Sequence, residues 1–139
     1  MSLSVVLPMK KLLIVAGPQG SGNHLFARLL SAHPNVVGWD SLKDNYWVPS
    51  DEEPFARYWV HPEELTFPEG EFFCANVSVP FFYDGVRQVP KIKEVAQKAM
   101  SLGVQPIIAL IVRDRNINEL QQKRVGGEVT MDTALEYFK

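Results

Sequence analysis

One cysteine, Cys74, is all that the 139 residues contain, so no disulfide can form within the chain. A reducing, cytoplasm-like compartment is the expectation. Charge of one sign is scarce too: 14 lysines and arginines against 16 aspartates and glutamates give a formal net charge of −2. No overall basic field argues for DNA, RNA or anionic lipid as a partner, which leaves room only for a local basic patch around a small anion. No stretch approaches the roughly 20 apolar residues of a membrane span. The opening "MSLSVVLPMKKLLIVAGPQG" sets two lysines before an apolar run. That run is only about six residues long, lacks a small-residue cleavage pattern and leads straight into a glycine loop. It reads as a buried first strand and not as a signal peptide. Repeats and low-complexity tracts are missing as well.

What is present suits one ordinary α/β domain over residues 1–139, with 46% hydrophobic and 22% charged residues and enough length to bury a real core. Four strands are expected. "KLLIVAG" (11–17) is a continuous apolar run, as in a strand covered on both faces. "NVVGWD" (35–40) follows His33-Pro34, where a helix should stop. "EFFCANVSV" (71–79) is aromatic and β-branched, and "PIIALIVRD" (106–114) is the most apolar of the set. Helices alternate with them, over 23–33 and 90–102, with shorter ones over 116–124, capped by Asn116, and 131–138, capped by Asp132. Between 41 and 70 the pattern dissolves into a proline- and aromatic-rich insertion. Strands alternating with helices imply βαβ units and a mostly parallel, roughly four-stranded sheet flanked by helices. In such a sheet the ligand sits at the carboxyl ends of the strands, which predicts that the loop 17–24 and Arg113 share one edge.

The loop "GPQGSGNH" (17–24) carries the most chemistry. Gly17, Gly20 and Gly22 permit tight turns and positive φ, and a helix opening near Asn23 directs N–H groups into one concavity. Such a nest holds phosphate or sulfate without a lysine. Against the template G-x-x-x-x-G-K-[ST], the glycine frame matches, but Asn23 and His24 stand where lysine and the magnesium-binding hydroxyl belong. Ordinary ATP or GTP hydrolysis is thereby disfavoured. No His/Cys/Asp/Glu group has metal spacing in the sequence, so no metal is expected.

"GPQGSGNHLFARLLSAHPNVVG" resembles the first motif of the sulfotransferases, with Ser21-Gly22 on that family's Ser-Gly, Asn23 and His24 on its Thr-Thr and His33-Pro34 on its His-Pro. "IIALIVRDRNINELQQKR" resembles the family's second motif, and Arg113 matches the arginine that holds the 3′-phosphate of the donor. The resemblance implies a three-layer P-loop fold and the cofactor 3′-phosphoadenosine 5′-phosphosulfate. It implies a nucleotide site made of Gly17, Gln19, Gly20, Ser21, Gly22, Asn23, His24, Arg113 and Gln121, and transfer of a sulfuryl group to an acceptor hydroxyl or amine. Several positions depart from the family. Its loop cation falls on Gly20, its motif-two serine on Gln121, its proline on Arg115, and its histidine base has no match in "NVSVPFF" (76–82). A non-catalytic nucleotide- or anion-binding module, or a divergent nucleotide kinase or NTPase, are the alternatives.

Other groups are candidates on residue type alone. Asp40, Asp84 and His61 are the acids and bases available, with none of them singled out. Ser78 lies at the carboxyl edge of the third strand. Trp39, Tyr46, Trp47, Tyr58 and Trp59 crowd the insertion, where packing is the commoner role and stacking on a ring the rarer one.

Overall fold

The computed structural model describes residues 9–38, 48–124 and 129–139. Four parallel strands form the main sheet in the order β2-β3-β1-β6: β1 (Lys10–Pro18), β2 (Val36–Val37), β3 (Phe72–Val79) and β6 (Val104–Leu110). The helices are α1 (Asn23–Leu30), α2 (Ile92–Ser101), α3 (Arg115–Arg124) and α4 (Met131–Tyr137). An antiparallel hairpin, β4 (Phe81–Tyr83) with β5 (Val86–Gln88), stands apart from the sheet. An α/β architecture with a parallel four-stranded sheet is thus what the alternating pattern builds.

Side-chain alternation along β1 separates two packing faces. Leu12, Ile14 and Ala16 join Phe73, Ala75 and Val77 of β3, Ile92, Val95 and Ala99 of α2, and Ala134 of α4 in the larger cluster. Trp59 and Leu65, from the segment between β2 and β3, complete it. On the other face Val15 meets Cys74, Ala27 of α1 and Val48. Each large apolar side chain so buried contributes about 1.5–3 kcal/mol, and the larger cluster carries most of them.

Topology fixes where a ligand would sit. From β1 the chain passes through α1 to β2, beyond β3; from β3 it passes through α2 to β6, beyond β1. The two crossovers leave in opposite directions, so the carboxyl ends of β1 and β3 form the switch point of the sheet.

Several boundaries differ from the sequence expectation. The last strand is Val104–Leu110, shifted toward the amino end relative to 106–114, because its register is set by Lys10–Ala16 of β1. Helix α1 stops at Leu30, and Ala32 and His33 bond back to Leu29 and Leu30 in a turn ahead of Pro34. Asp114, not Asn116, caps α3: its Oδ1 accepts the N–H of Asn116 at 2.9 Å and of Ile117 at 3.2 Å. Thr130, not Asp132, precedes α4, and Asp132 instead pairs with Arg115 at 2.9 Å. The described part of the insertion folds into three short 3-10 turns, Ser50–Glu52, Ala56–Trp59 and Pro62–Glu64. The expected strand 35–40 is seen as Val36–Val37, and its residues 39 and 40 lie outside the described residues.

Candidate functional site

The loop leaving β1 closes on itself first. The N–H of Ser21 donates to the Pro18 carbonyl at 3.1 Å, and Gly20 and Gly22 take φ of 76° and 96°, with Gly22 at the cap position of α1. Only glycine adopts these conformations without cost. Gly17 is required for space: a Cβ there would lie 2.6 Å from the Ile111 carbonyl oxygen and 2.6 Å from Ser21 Oγ. Ser21 is 5% exposed, and its hydroxyl has no hydrogen-bond partner among the described residues.

Polar ties then fix the loop from three sides. Toward β3, Asn23 is buried and its Nδ2 donates to the Val77 carbonyl at 2.7 Å and to Ser78 Oγ at 3.2 Å. Toward α3 and α4, Gln19 is the node. Its carbonyl accepts from Asn118 Nδ2 and from Gln122 Nε2 (2.7 Å), and its Oε1 accepts from Thr130 Oγ1 at 2.8 Å. Gln122 Oε1 in turn accepts the Thr130 N–H at 2.8 Å. Toward β6, Arg113 Nη1 donates to the Gly20 carbonyl at 2.8 Å, which brings together two positions 93 residues apart. Gln121 lies against the loop, its Cγ 3.2 Å from where a Cβ on Gly20 would stand.

At the start of α1 a histidine and a carboxylate meet. His24 Nδ1 and Glu53 Oε1 are 2.9 Å apart, and Asn76 Nδ2 donates to Glu53 Oε2 at 2.9 Å. Burial pushes the Glu53 carboxyl above the usual carboxylate range, and the hydrogen bonds and charge of His24, with the Asn76 amide, pull it back in part. Sequence reasoning passed over Glu53, which sits in the proline- and aromatic-rich insertion. Nothing local marks it as the residue that turns inward, since only the fold of 48–70 brings it to α1.

The nine candidate nucleotide residues are therefore gathered at one edge, but they do different things there. Gln19 and Asn23 spend their side chains on α4 and β3, and His24 faces Glu53, so the surface left for a ligand is mainly backbone with Arg113 beside it. An anion at such a helix start gains from the N–H dipoles and from a nearby guanidinium.

The remaining candidates fall elsewhere. Trp59 is a buried core residue, and Tyr58 packs against the same cluster beside Phe55. Asp84 holds the first turn position of the hairpin at φ 52°. His61 faces Glu63 at 3.6 Å. Asp40, Trp39, Tyr46 and Trp47 lie outside the described residues. Where the sequence suggested no metal-spaced group, His61, Glu63 and Glu64 do bring ligand atoms within 4.8 Å of one another. Both glutamates are exposed, and Glu64 is paired with Arg57. Among the described residues no helix is long and apolar enough to cross a membrane. Comparison of the chain with protein-family models, with curated proteins and with solved structures finds no match.

Proposed function

We propose that the chain is a sulfotransferase-like P-loop domain that binds a phosphoadenosine-type nucleotide at the carboxyl edge of β1 and β3. In the full reaction the donor is 3′-phosphoadenosine 5′-phosphosulfate. The bond between sulfur and the 5′-phosphate oxygen breaks, and a bond from sulfur to an acceptor oxygen or nitrogen forms. The bisphosphate leaves and the acceptor proton passes to water. The observation that carries this reading is the meeting of the glycine loop, the start of α1 and Arg113 at the topological switch point of a parallel sheet.

One feature favours a second reading, binding without turnover. Residues 17–24 contain no lysine or arginine, and His24 is engaged by a carboxylate. Charge developing on a transferring group would meet fewer cations than such chemistry ordinarily recruits.

Calorimetric titration of the protein with 3′-phosphoadenosine 5′-phosphate, beside ATP with magnesium, tests the first reading. Selective binding of the bisphosphate is the expected result. Preference for ATP with magnesium moves the assignment to a kinase or NTPase. Turnover of the phosphosulfate donor with simple phenol and amine acceptors then separates transferase from binding module.

A further inference from the structure

An anion bound at the loop would gain from a positive charge that residues 17–24, without lysine or arginine, do not supply. Of residues 17–24 only His24 is ionisable, and it faces Glu53 at 2.9 Å, so a proton there is spent on a carboxylate. Gly20 is closed to a longer side chain, because its φ is 76° and Gln121 lies 3.2 Å from the place of its Cβ. Arg113 brings that charge from a distant part of the sequence. It leaves the end of β6, is exposed, and fastens one Nη1 donor to the Gly20 carbonyl at 2.8 Å. A guanidinium presents five donors in a planar fork, so this single bond orients the rest of the fork beside the loop. The buried Ser21 hydroxyl, unpartnered among the described residues, lies on the inner side of the same loop, next to the place of a Gly17 Cβ. A buried hydroxyl left without a partner is a group that a hydrogen-bonding ligand at this loop would satisfy.

We infer that Arg113 serves the loop itself: it binds the 5′-phosphate end of the nucleotide, jointly with the backbone N–H groups of Gly20, Gly22 and Asn23, in place of the cation the loop lacks. This rests on the nucleotide reading above but assigns Arg113 to a different phosphate from the one the sequence resemblance suggests. The consequence is selectivity. An adenosine carrying only a 5′-phosphate should depend on Arg113, and one carrying only a 3′-phosphate should not.

Titration of the full chain with 5′-AMP, 3′-AMP and 3′-phosphoadenosine 5′-phosphate, on the native protein and on Arg113→Ala, tests the assignment. The expected result is a loss of about tenfold or more in 5′-AMP affinity, as for a hydrogen bond to a charged group, with 3′-AMP changed less than about twofold. The bisphosphate should lose the same factor as 5′-AMP. Should Arg113→Ala not fold, Arg113→Lys carries the same comparison with a smaller loss, because it keeps the charge and gives up the fork. A loss confined to 3′-AMP, or equal for both monophosphates, overturns the assignment while leaving the nucleotide reading standing. If the native protein binds none of the three, both are overturned together.

Discussion

The two faces of the sheet are built on different principles. The face under α2 and α4 is closed by many large side chains, among them Trp59, Phe73, Leu12 and Ile14. Among the described residues, the apolar side chains fully buried under α1 are Val15, Ala27, Val48 and Cys74, and α1 leaves Leu29 62% exposed. Non-directional apolar burial therefore holds the first face, and α1 gains comparatively little from it. What fixes α1 and its loop is a set of directional bonds: Asn23 to Val77, His24 to Glu53, Gln19 to Gln122. Apolar packing tolerates small shifts of a helix, whereas a hydrogen bond fails within a fraction of an ångström. For a loop proposed to present N–H groups to an anion, the second arrangement is the better suited.

Substitutions on the two faces should separate these contributions. Trp59→Ala, on the thick face, should lower unfolding free energy by about 3–5 kcal/mol, and Val15→Ala on the thin face by only about 1–2 kcal/mol, both read from urea denaturation. Equal losses would mean that the faces share the load after all. Gln122→Ala comes next. It strips buried bonds from the Gln19 carbonyl and the Thr130 N–H and should cost about 1–3 kcal/mol. Slower amide exchange in β1 and β3 than in residues 19–24 of this variant would show the loop released while the sheet persists.

The smallest effect concerns Glu53. Its carboxyl is raised in the folded chain chiefly by burial, so the folded state holds that proton more tightly than the unfolded state does. Its contribution to stability is full below the ordinary glutamate value of 4.5 and is lost as pH rises through the higher folded value. Glu53→Gln keeps the shape and removes the charge, so its stability should decline less than that of the native protein from pH 4.5 upward. Parallel profiles of thermal stability against pH would contradict this.

Much of the frame could be read from residue order alone. Continuous apolar runs located β1 and β3 to within a residue or so, because a strand covered on both faces leaves no room for polar residues. The hairpin was also legible and went unread: Tyr83-Asp84-Gly85-Val86 has the Asp-Gly pair that a two-residue turn with both φ positive demands, and the observed values are 52° and 74°. The last strand shows a limit of composition, since "PIIALIVRD" is apolar well past the point where β1 ends as its pairing partner. At the site, the glycines and Arg113 announced themselves by type and position. Asn23 was singled out only as a ligand contact, and its bond to Val77, 54 residues away, was hidden. Glu53 was equally hidden, since an acid becomes buried only once the insertion has folded around it.

The Gln19 carbonyl has a consequence for anyone who shortens this protein. Every strand of the main sheet is complete by Leu110, so a boundary drawn there looks safe and would yield a plausible minimal domain. Such a cut would delete Asn118, Gln122 and Thr130, the three side chains that grip Gln19, and Arg113 with them. The shortened protein would keep its strands, but it would lose Ala134 of α4 from the larger cluster and forfeit the shape of its glycine loop. Fragment size here has to be chosen by what steadies residue 19 and not by where the strands stop.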